Sequence, residues 1–285
     1  MAKQERSTSS FGADVAVGVQ WDSNVSIEEL ETDSGADDVL AELSANLKYK
    51  TKLGENNLSV FYSASNSLHD VFGEFDLLTQ IASADLSRKF GSLTAGANAR
   101  YIDAKLDSSG LLAFSQGGLY VSSLINRELF VRSEFLYTDK SFDELTGRSA
   151  TTHGISTDAY LFQRGGKQYW MIGLRFENED AFADQFDRTT KTLSARFQRK
   201  FEWLGKPARA RVSARAQLRD YDSITPSIGQ PRDDERLRAG AQFEMGLVGN
   251  TYVQLDLTYA DNKSNLPSAD YSQTQVGVTL GWRNQ

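Results

Sequence analysis

The sequence predicts an all-β fold, a transmembrane antiparallel up-and-down β-barrel of about 14 strands, from three observations. Apolar and polar residues alternate in successive segments, short turns alternate with longer polar connections, and aromatic residues stand near the segment ends. The clean segments have at least the roughly 9–11 residues that a tilted strand needs to cross a bilayer. Strands of a soluble sandwich are mostly about 5–6 residues long, so these lengths favour a membrane barrel.

The first segment shows the alternation. Its odd-numbered positions from Phe11 to Trp21 are apolar, whereas the even-numbered positions between them are small or polar. Because successive side chains of a strand point to opposite faces, one face of this segment suits lipid and the other suits water. Similar segments begin at Val39, Leu93, Leu129, Ala208, Leu237, Val253 and Val276. Weaker alternation around Thr79 and Gln116 predicts β-bulges there, or a different register.

The connections between the segments predict the topology. The six short ones, most with the Gly or Asn that a tight hairpin needs, are 54–57, 90–92, 125–127, 164–167, 204–207 and 248–250. The seven longer polar ones are 26–38, 66–75, 105–111, 141–151, 178–189, 221–235 and 260–270. In outer-membrane barrels short turns face the periplasm and long loops face outside. This order of connections predicts that both termini are periplasmic.

Aromatic residues near the segment ends predict two belts at the membrane interfaces. The outer belt would contain Trp21, Tyr101, Tyr137, Phe176 and Tyr259, and the inner belt Phe11, Phe90, Phe201, Trp203 and Trp282. Such a double girdle is typical of lipid-facing barrels. The alternative is the ordinary enrichment of aromatic residues in strands, which explains their number but not their position.

Length and composition fit one barrel. The chain has 285 residues, no cysteine and a mean hydropathy of −0.45, and no run is apolar enough for a transmembrane helix. A barrel is compatible with this hydropathy because only alternate residues meet lipid. We expect residues 1–10 to be a disordered N-terminal extension and residues 11–285 to be the barrel. No signal peptide opens the sequence, which predicts a mature protein or one domain of a longer one.

The net charge of −7 comes largely from acids in the long connections. They are Glu28, Glu29, Glu31, Asp33, Asp37, Asp38, Glu179, Asp180, Asp184, Asp187, Asp233, Asp234 and Glu235. Acidic outer loops either bridge divalent cations on lipopolysaccharide or are simply solvated, and solvation is the more common role of a charge cluster. We expect outer-membrane lipid and lipopolysaccharide as partners of the barrel surface. We expect no nucleic acid, because stacking aromatics do not accompany the basic residues.

The inward face of the tenth to twelfth segments predicts a basic wall inside the barrel. By parity it carries Arg196, Lys200, Arg209, Arg211, Arg215, Arg219, Arg236 and Arg238. Inward acids would include Glu42, Glu134, Glu177 and Glu244. Guanidinium groups in a water-filled lumen can bind a phosphate, a carboxylate or an acidic polymer. Alternatively they pair with carboxylates across the lumen and stiffen the wall, since ion-pair networks and binding rows look alike in a sequence.

Catalysis, a metal site and a cofactor have little support. The two histidines are His69, which precedes Asp70 in a long connection, and His153, which has the parity of the lipid face. An Asp–His pair needs partners that converge on a scissile bond, and no serine is singled out beside His153. Gly-rich phosphate loops and metal-ligand clusters are also missing from the sequence. We therefore predict no catalytic residues, no metal and no cofactor.

Two motifs at the ends of the chain carry a family resemblance. Trp21-Asp22-Ser23-Asn24-Val25 ends the first segment, and Asn265-Leu266-Pro267-Ser268-Ala269-Asp270-Tyr271 precedes Val276-Gly277-Val278-Thr279-Leu280-Gly281-Trp282-Arg283. These motifs resemble the surface lipoprotein assembly modifier family. The resemblance implies a C-terminal barrel of about fourteen strands that helps to move lipoproteins to the cell surface. It also implies a periplasmic helical-repeat domain or partner.

The sequence departs from that family in two ways. The N-terminal tetratricopeptide domain usual in the family is not in this sequence. The usual terminal aromatic residue of outer-membrane strands is replaced by Trp282 followed by Arg283-Asn284-Gln285. The resemblance therefore carries over no functional residue beyond the two motifs, and translocation rests on analogy.

Three functions remain open for a barrel in the outer membrane of a Gram-negative bacterium. The first is a barrel that translocates or assembles a lipoprotein or polymer, which predicts a periplasmic partner and a weak seam between the first and last strands. The second is a passive diffusion porin whose arginine wall favours an anionic solute. The third is a structural or adhesive barrel plugged by its own loops. A wide lumen favours the first two as long as no loop folds inward.

Overall fold

The computed structural model describes residues 9–27 and 29–284. In it, fourteen antiparallel strands pair in chain order into a closed barrel, and the last strand pairs with the first. The barrel strands are β1 (Ser10–Asp22), β4 (Asp38–Leu53), β5 (Asn56–His69), β6 (Leu77–Phe90), β7 (Leu93–Leu106), β8 (Ser109–Leu124), β9 (Leu129–Phe142), β10 (Ala150–Gln163), β11 (Gln168–Ala181), β12 (Arg188–Trp203), β13 (Lys206–Thr225), β14 (Gln230–Gly246), β15 (Thr251–Ser264) and β16 (Tyr271–Asn284). The predicted fold class and strand number are confirmed.

Two short strands, β2 (Ser26–Ile27) and β3 (Thr32–Asp33), form a separate hairpin in the connection between β1 and β4. Single turns of 3-10 helix occur at Gly73–Phe75, Thr146–Arg148, Arg164–Gly166, Asp184–Phe186 and Pro267–Ala269. In the part of the chain that the structure describes, no helix is long and apolar enough to span a membrane. Of the predicted N-terminal extension, residues 1–8 lie outside the described residues.

We name the two ends of the barrel by their connections. At the turn end lie the described termini and the connections 54–55, 91–92, 125–128, 164–167, 204–205 and 247–250. At the loop end lie the connections 23–37, 70–76, 107–108, 143–149, 182–187, 226–229 and 265–270. The tight turns at the turn end use residues at positive φ, for example Gly91 (φ 62°) and Gly205 (φ 71°).

Two of the predicted long loops are largely strand. The predicted loop 105–111 is a two-residue turn at Asp107 and Ser108, and the predicted loop 221–235 is a four-residue connection between β13 and β14. Strands need only about 9–11 residues to cross a bilayer, whereas β13 has 20. Its outer part therefore pairs with β14 beyond the bilayer, in water, where the lipid-side positions are polar and the apolar alternation ends.

The bulges predicted at Thr79 and Gln116 are not found. Thr79 pairs regularly with Ser65 and Ala104, and Gln116 pairs regularly with Arg100 and Thr138. The register shifts instead between Ala104 and Lys105 in β7, and between Asp220 and Ile224 in β13. Both shifts lie near the loop end, where a change of register does not move a lipid-facing side chain into water.

The alternation places apolar side chains on the outer surface of the barrel. Val15, Val17 and Val19 of β1 are exposed on this surface, where lipid would cover them. The aromatic residues Trp21, Tyr101, Tyr137, Phe176, Trp203, Tyr259 and Trp282 are exposed as well. The opposite parity faces the lumen and is polar. The described apolar cluster of Ala104, Leu112 and Phe142 lies at the loop end, where it meets Leu30 of the β1–β4 connection.

Candidate functional site

The described residues of the connection between β1 and β4, 23–27 and 29–37, fold into the loop end of the lumen, and we call this segment the luminal loop. Its base is fixed by Val25, which is 1% exposed and whose backbone pairs with Ser34 and Ala36. The chain then reverses where the amides of Leu30 and Glu31 both donate to the carbonyl of Ile27. Glu31 adopts a positive φ of 57°, a conformation that is uncommon for a residue other than glycine. The reversal directs the tip of the loop away from its own strands.

The tip of the loop is held by a buried ion network on β13 and β14. The carboxylate of Glu31 accepts a hydrogen bond of 2.6 Å from the Nη1 of Arg232 and lies 3.4 Å from the Nη2 of Arg236. Arg232 is 2% exposed, and its Nε and Nη2 donate to the two carboxylate oxygens of Asp234 at 2.7 and 2.8 Å. The hydroxyl of Tyr221 donates to Glu31 at 3.3 Å. Bidentate pairing of this kind is among the strongest contacts that a guanidinium makes.

Burial and the surrounding positive charges act on the pKa of Glu31 in opposite directions. Burial alone would raise the pKa of its carboxyl group. The hydrogen bond and charge of Arg232, followed by the charges of Arg148 and Arg236, outweigh burial and lower the pKa to about 2. Glu31 is therefore ionised at neutral pH, and its charge is neutralised within the network.

A second set of contacts attaches the loop to β9 and its following connection. The Nη1 of Arg148 donates to the carbonyl of Glu29 at 3.1 Å and lies 3.2 Å from the carboxylate of Glu31. Leu30 packs against the apolar cluster of Ala104, Leu112 and Phe142. In the barrel order β9 is six strands away from β1 on one side, and β14 is three strands away on the other. The luminal loop thus crosses the lumen and touches two separate parts of its wall.

The base of the loop is fastened to β16 by the first end motif. The carboxylate of Asp22 accepts hydrogen bonds of 2.7 and 2.9 Å from the amides of Gln273 and Gln275. The side-chain amide of Asn24 donates to the carbonyl of Ser272 at 3.3 Å, and its oxygen accepts from the amide of Gly35 at 3.0 Å. The first motif therefore meets residues 272–275, which join the two parts of the second motif, and these contacts secure the luminal loop and the seam.

The expectation of solvated acidic loops is wrong for several acids. Glu31 and Asp234 are buried in the ion network. Asp38 is buried and accepts hydrogen bonds from the backbone amides of Val71 and Phe72, both at 3.0 Å. Glu179 pairs with Lys140 at 2.8 Å and with Arg188 at 3.1 Å. The reason is that these acids face the lumen or cap backbone amides, which a sequence cluster does not reveal.

The eight residues of the predicted basic wall lie on lumen-facing positions of β12, β13 and β14. This follows from the register, in which Lys200 is opposite Arg209, Arg196 opposite Ser213, and Arg215 opposite both Ser194 and Arg238. Arg211 donates to Gln198 at 2.9 and 3.2 Å, and Arg219 donates to Gln217 at 3.0 Å. Arg236 joins the ion network. At the loop end of the wall, Arg236 therefore helps to hold the luminal loop.

The predicted inward acids are spread around the lumen. Glu244 pairs with Arg209 and, at 3.3 Å, with Arg283. Glu134 pairs with Arg132 at 2.9 Å, and Glu177 with Arg175 at 3.6 Å. Glu42 lines a polar cavity of about 510 Å³ next to the seam, together with Asp14, Arg209, Arg211 and Asp256. A second polar cavity, of about 320 Å³, is lined by Glu31, Lys140, Arg188, Arg215 and Arg219.

The seam between β1 and β16 is bridged on its lumen face. Among the described residues it pairs continuously from Ala13 opposite Asn284 to Asp22 opposite Gln275. The ring of Tyr252 on β15 lies over Gly281, and its hydroxyl donates to the carboxylate of Asp14 at 3.0 Å. A Cβ on Gly281 would overlap this ring, so only glycine admits it. The Nε of Arg283 donates to the same carboxylate at 2.6 Å.

We predict that Tyr252→Phe weakens the barrel. The variant removes a hydrogen bond to a carboxylate, which contributes roughly 1.5–3 kcal/mol. The midpoint of urea unfolding, followed by tryptophan fluorescence, should fall by a corresponding amount. Tyr62→Phe is a matched control, because its hydroxyl donates at 2.8 Å to Gln80 in an exposed position. Equal losses in the two variants would contradict a special role for the seam contact.

The histidines are not assembled into a catalytic group. The Nδ1 of His69 lies 3.3 Å from the carboxylate of Asp76, so its partner is Asp76 and not the adjacent Asp70. His153 lies on the outer surface with its ring 5.2 Å from that of Tyr137. Within residues 9–27 and 29–284, no group of three or more His, Cys, Asp or Glu side chains is arranged to hold a metal ion.

A model of the surface lipoprotein assembly modifier family matches residues 17–283, which cover the barrel. The chain belongs to the surface lipoprotein assembly modifier family. It is an outer-membrane β-barrel of a Gram-negative bacterium, and family and fold point to a protein that is not an enzyme. The match bears out the resemblance of the two end motifs. No curated protein matches the chain in sequence.

Solved outer-membrane barrels share the fold of this family member. An outer membrane protein of Vibrio cholerae, OmpT, has a TM-score of 0.56 at 9% identity, covering 98% of this chain and 100% of that one. An anion-selective porin from Comamonas acidovorans has a TM-score of 0.55 at 11% identity, covering 98% and 100%. CdiB from Acinetobacter baumannii has a TM-score of 0.51 at 10% identity, covering 95% of this chain. The chain spans 60% of the length of CdiB. At these identities the likeness shows the fold alone.

Proposed function

We propose that this barrel takes part in moving lipoproteins to the cell surface, and that its luminal loop closes the lumen between transport events. The membership of the family supports the lipoprotein cargo. The observation that carries the closed state is the buried contact between Glu31 and Arg232, which ties the loop to β14. We place the turn end, with both termini, in the periplasm, because short turns of such barrels face that side.

A gate of this kind fits a barrel that passes a large cargo at intervals. An open barrel of about fourteen strands encloses a lumen wide enough for solutes to leak through. A loop held by ion pairs can leave the lumen without breaking the strand pairing of the wall. The continuous, bridged seam favours passage of cargo through the lumen over opening between β1 and β16.

A diffusion porin with anion preference is the second candidate. Arg215 and Arg238 are exposed to the lumen on adjacent strands, and a wall of this charge attracts anions. This candidate requires a permanently open path past the luminal loop. The two functions therefore differ in whether the unmodified protein conducts.

Deleting the gene in its native bacterium tests the proposed function. We expect one or more lipoproteins to lose accessibility to protease added to intact cells, although their total amount is kept. Restoring the full-length gene should restore accessibility. Unchanged exposure of all lipoproteins, together with slower uptake of small anions, would instead support the porin.

A further inference from the structure

The two ends of the barrel carry opposite charge. At the turn end, each connection and the four strand residues on either side together contain eleven Lys and Arg against four Glu. At the loop end, the same rule gives seven Lys and Arg against twenty-three Asp and Glu. Charge of one sign at a mouth raises the local concentration of ions of the other sign. The turn end is therefore the end that attracts anions.

Four lysines at the turn end point into the mouth of the lumen, and we call them the mouth lysines. Lys50 and Lys52 have the same parity on β4 as the cavity-lining Glu42. Lys89 has the parity of Asp85, and Lys200 is opposite the lumen-facing Arg209. All four are exposed although they face inward, so water fills the mouth at this end.

The mouth lysines lack acidic partners. Two of the four acids of the turn end are engaged elsewhere, since Glu55 pairs with Arg88, and Glu244 pairs with Arg209 and Arg283. A third acid, Glu202, shares the lumen-facing parity of Lys200 on β12. Among the described residues, no carboxylate lies within ion-pair distance of a mouth lysine. Repulsion between like charges is then relieved only by ions, or by a partner that brings negative charge.

We propose that the turn end binds an acidic polypeptide segment at the mouth of the barrel. Lys50 and Lys52 repeat every second residue, roughly 6.6 Å apart along the strand, which is the spacing of carboxylates on one face of an extended acidic segment. Further cations, Arg127, Arg164 and Lys167, extend from the turns around the mouth. A lipid headgroup is the weaker fit, because lipid lies outside the barrel whereas the mouth lysines point inside.

The test uses the full chain in nanodiscs of zwitterionic lipid and a fluorescent oligoglutamate peptide. We expect the peptide to bind and the affinity to fall steeply with salt. The triple variant with Lys50→Gln, Lys52→Gln and Lys89→Gln should bind the peptide about tenfold more weakly than the unmodified protein. The matched control, Lys105→Gln, Lys191→Gln and Lys263→Gln, removes the same charge from the loop end and should bind unchanged.

Three outcomes would overturn the proposal. They are the absence of oligoglutamate binding, an equal loss in the control variant, and, in a second set of nanodiscs that contains phosphatidylglycerol, an effect of the mouth variant on the enrichment of that lipid alone, measured by native mass spectrometry. The last result would assign the surface to anionic lipid. If the triple variant does not fold, Lys52→Gln alone should still lower the affinity by a measurable factor. Binding is measured without any cargo transport, so the result is independent of the proposed translocation.

Discussion

Replacing Arg232 with glutamine is expected to release the luminal loop and open the lumen. The guanidinium of Arg232 joins the carboxylates of Glu31 and Asp234, which are 6% and 3% exposed. Removing one partner of a buried ion pair leaves uncompensated charge and costs about 3–5 kcal/mol. Because every 1.4 kcal/mol is a factor of about ten, the docking equilibrium should shift by roughly a hundredfold to a thousandfold or more.

The wall of the barrel should survive this change. The variant removes no strand pairing, and the part of β14 that carries Arg232 lies at the loop end. In a planar bilayer we expect stable openings from Arg232→Gln. Lys191→Gln is the matched control, because it breaks an exposed pair with Asp220 that contributes at most about 1 kcal/mol. Openings in neither variant, with both barrels folded on unheated gels, would contradict the role of the network.

Acid is expected to open the barrel only well below neutral pH. The pKa of Glu31 is lowered from 4.5 to about 2 in the folded state. A group with a lowered pKa stabilises the folded state fully above its unfolded value, and that contribution disappears as pH falls through the folded value. The shift corresponds to a docking contribution of the order of 3 kcal/mol. Conductance should therefore stay low from pH 8 to about pH 5 and rise between about pH 4.5 and 2.

Glu31→Gln separates this effect from general acid unfolding. The variant should conduct already at neutral pH, and the rise between about pH 4.5 and 2 should disappear. The groups that face Glu31 are the guanidinium groups of Arg148, Arg232 and Arg236 and the hydroxyl of Tyr221. An opening transition between pH 5 and 7 would contradict the role of Glu31.

The sequence is sufficient to predict the barrel, because the alternation of side chains between the two faces of a strand is a local property. Each strand shows its lipid face through residues such as Val15, Val17 and Val19, and this pattern repeats in every well-formed segment. The turn end was also predictable, since tight turns require residues at positive φ such as Gly91 and Gly205. Strand ends beyond the bilayer were not predictable in this way, because their outer face meets water and the apolar signal ends.

The luminal loop could not be predicted from local pattern. Its contacts join Glu31 to Arg232 and Arg236, about two hundred positions further along the chain. One signal is present in the sequence, since Arg232 and Asp234, inside the predicted loop 221–235, continue the parity of the lumen-facing Arg236. Extending the parity of β14 into that loop places these two further charged side chains in the lumen beside Arg236, where a buried charge requires a partner.

Single-channel conductance of the unmodified protein, refolded into a planar bilayer at neutral pH, tests the central claim most directly. The comparison is a variant in which residues 25–36 are replaced by a short glycine-serine linker. If the luminal loop closes the barrel, the unmodified protein should show little or no steady conductance, and the variant should show large, stable openings. Equal, steady openings in both would contradict the gate and would make the barrel a porin.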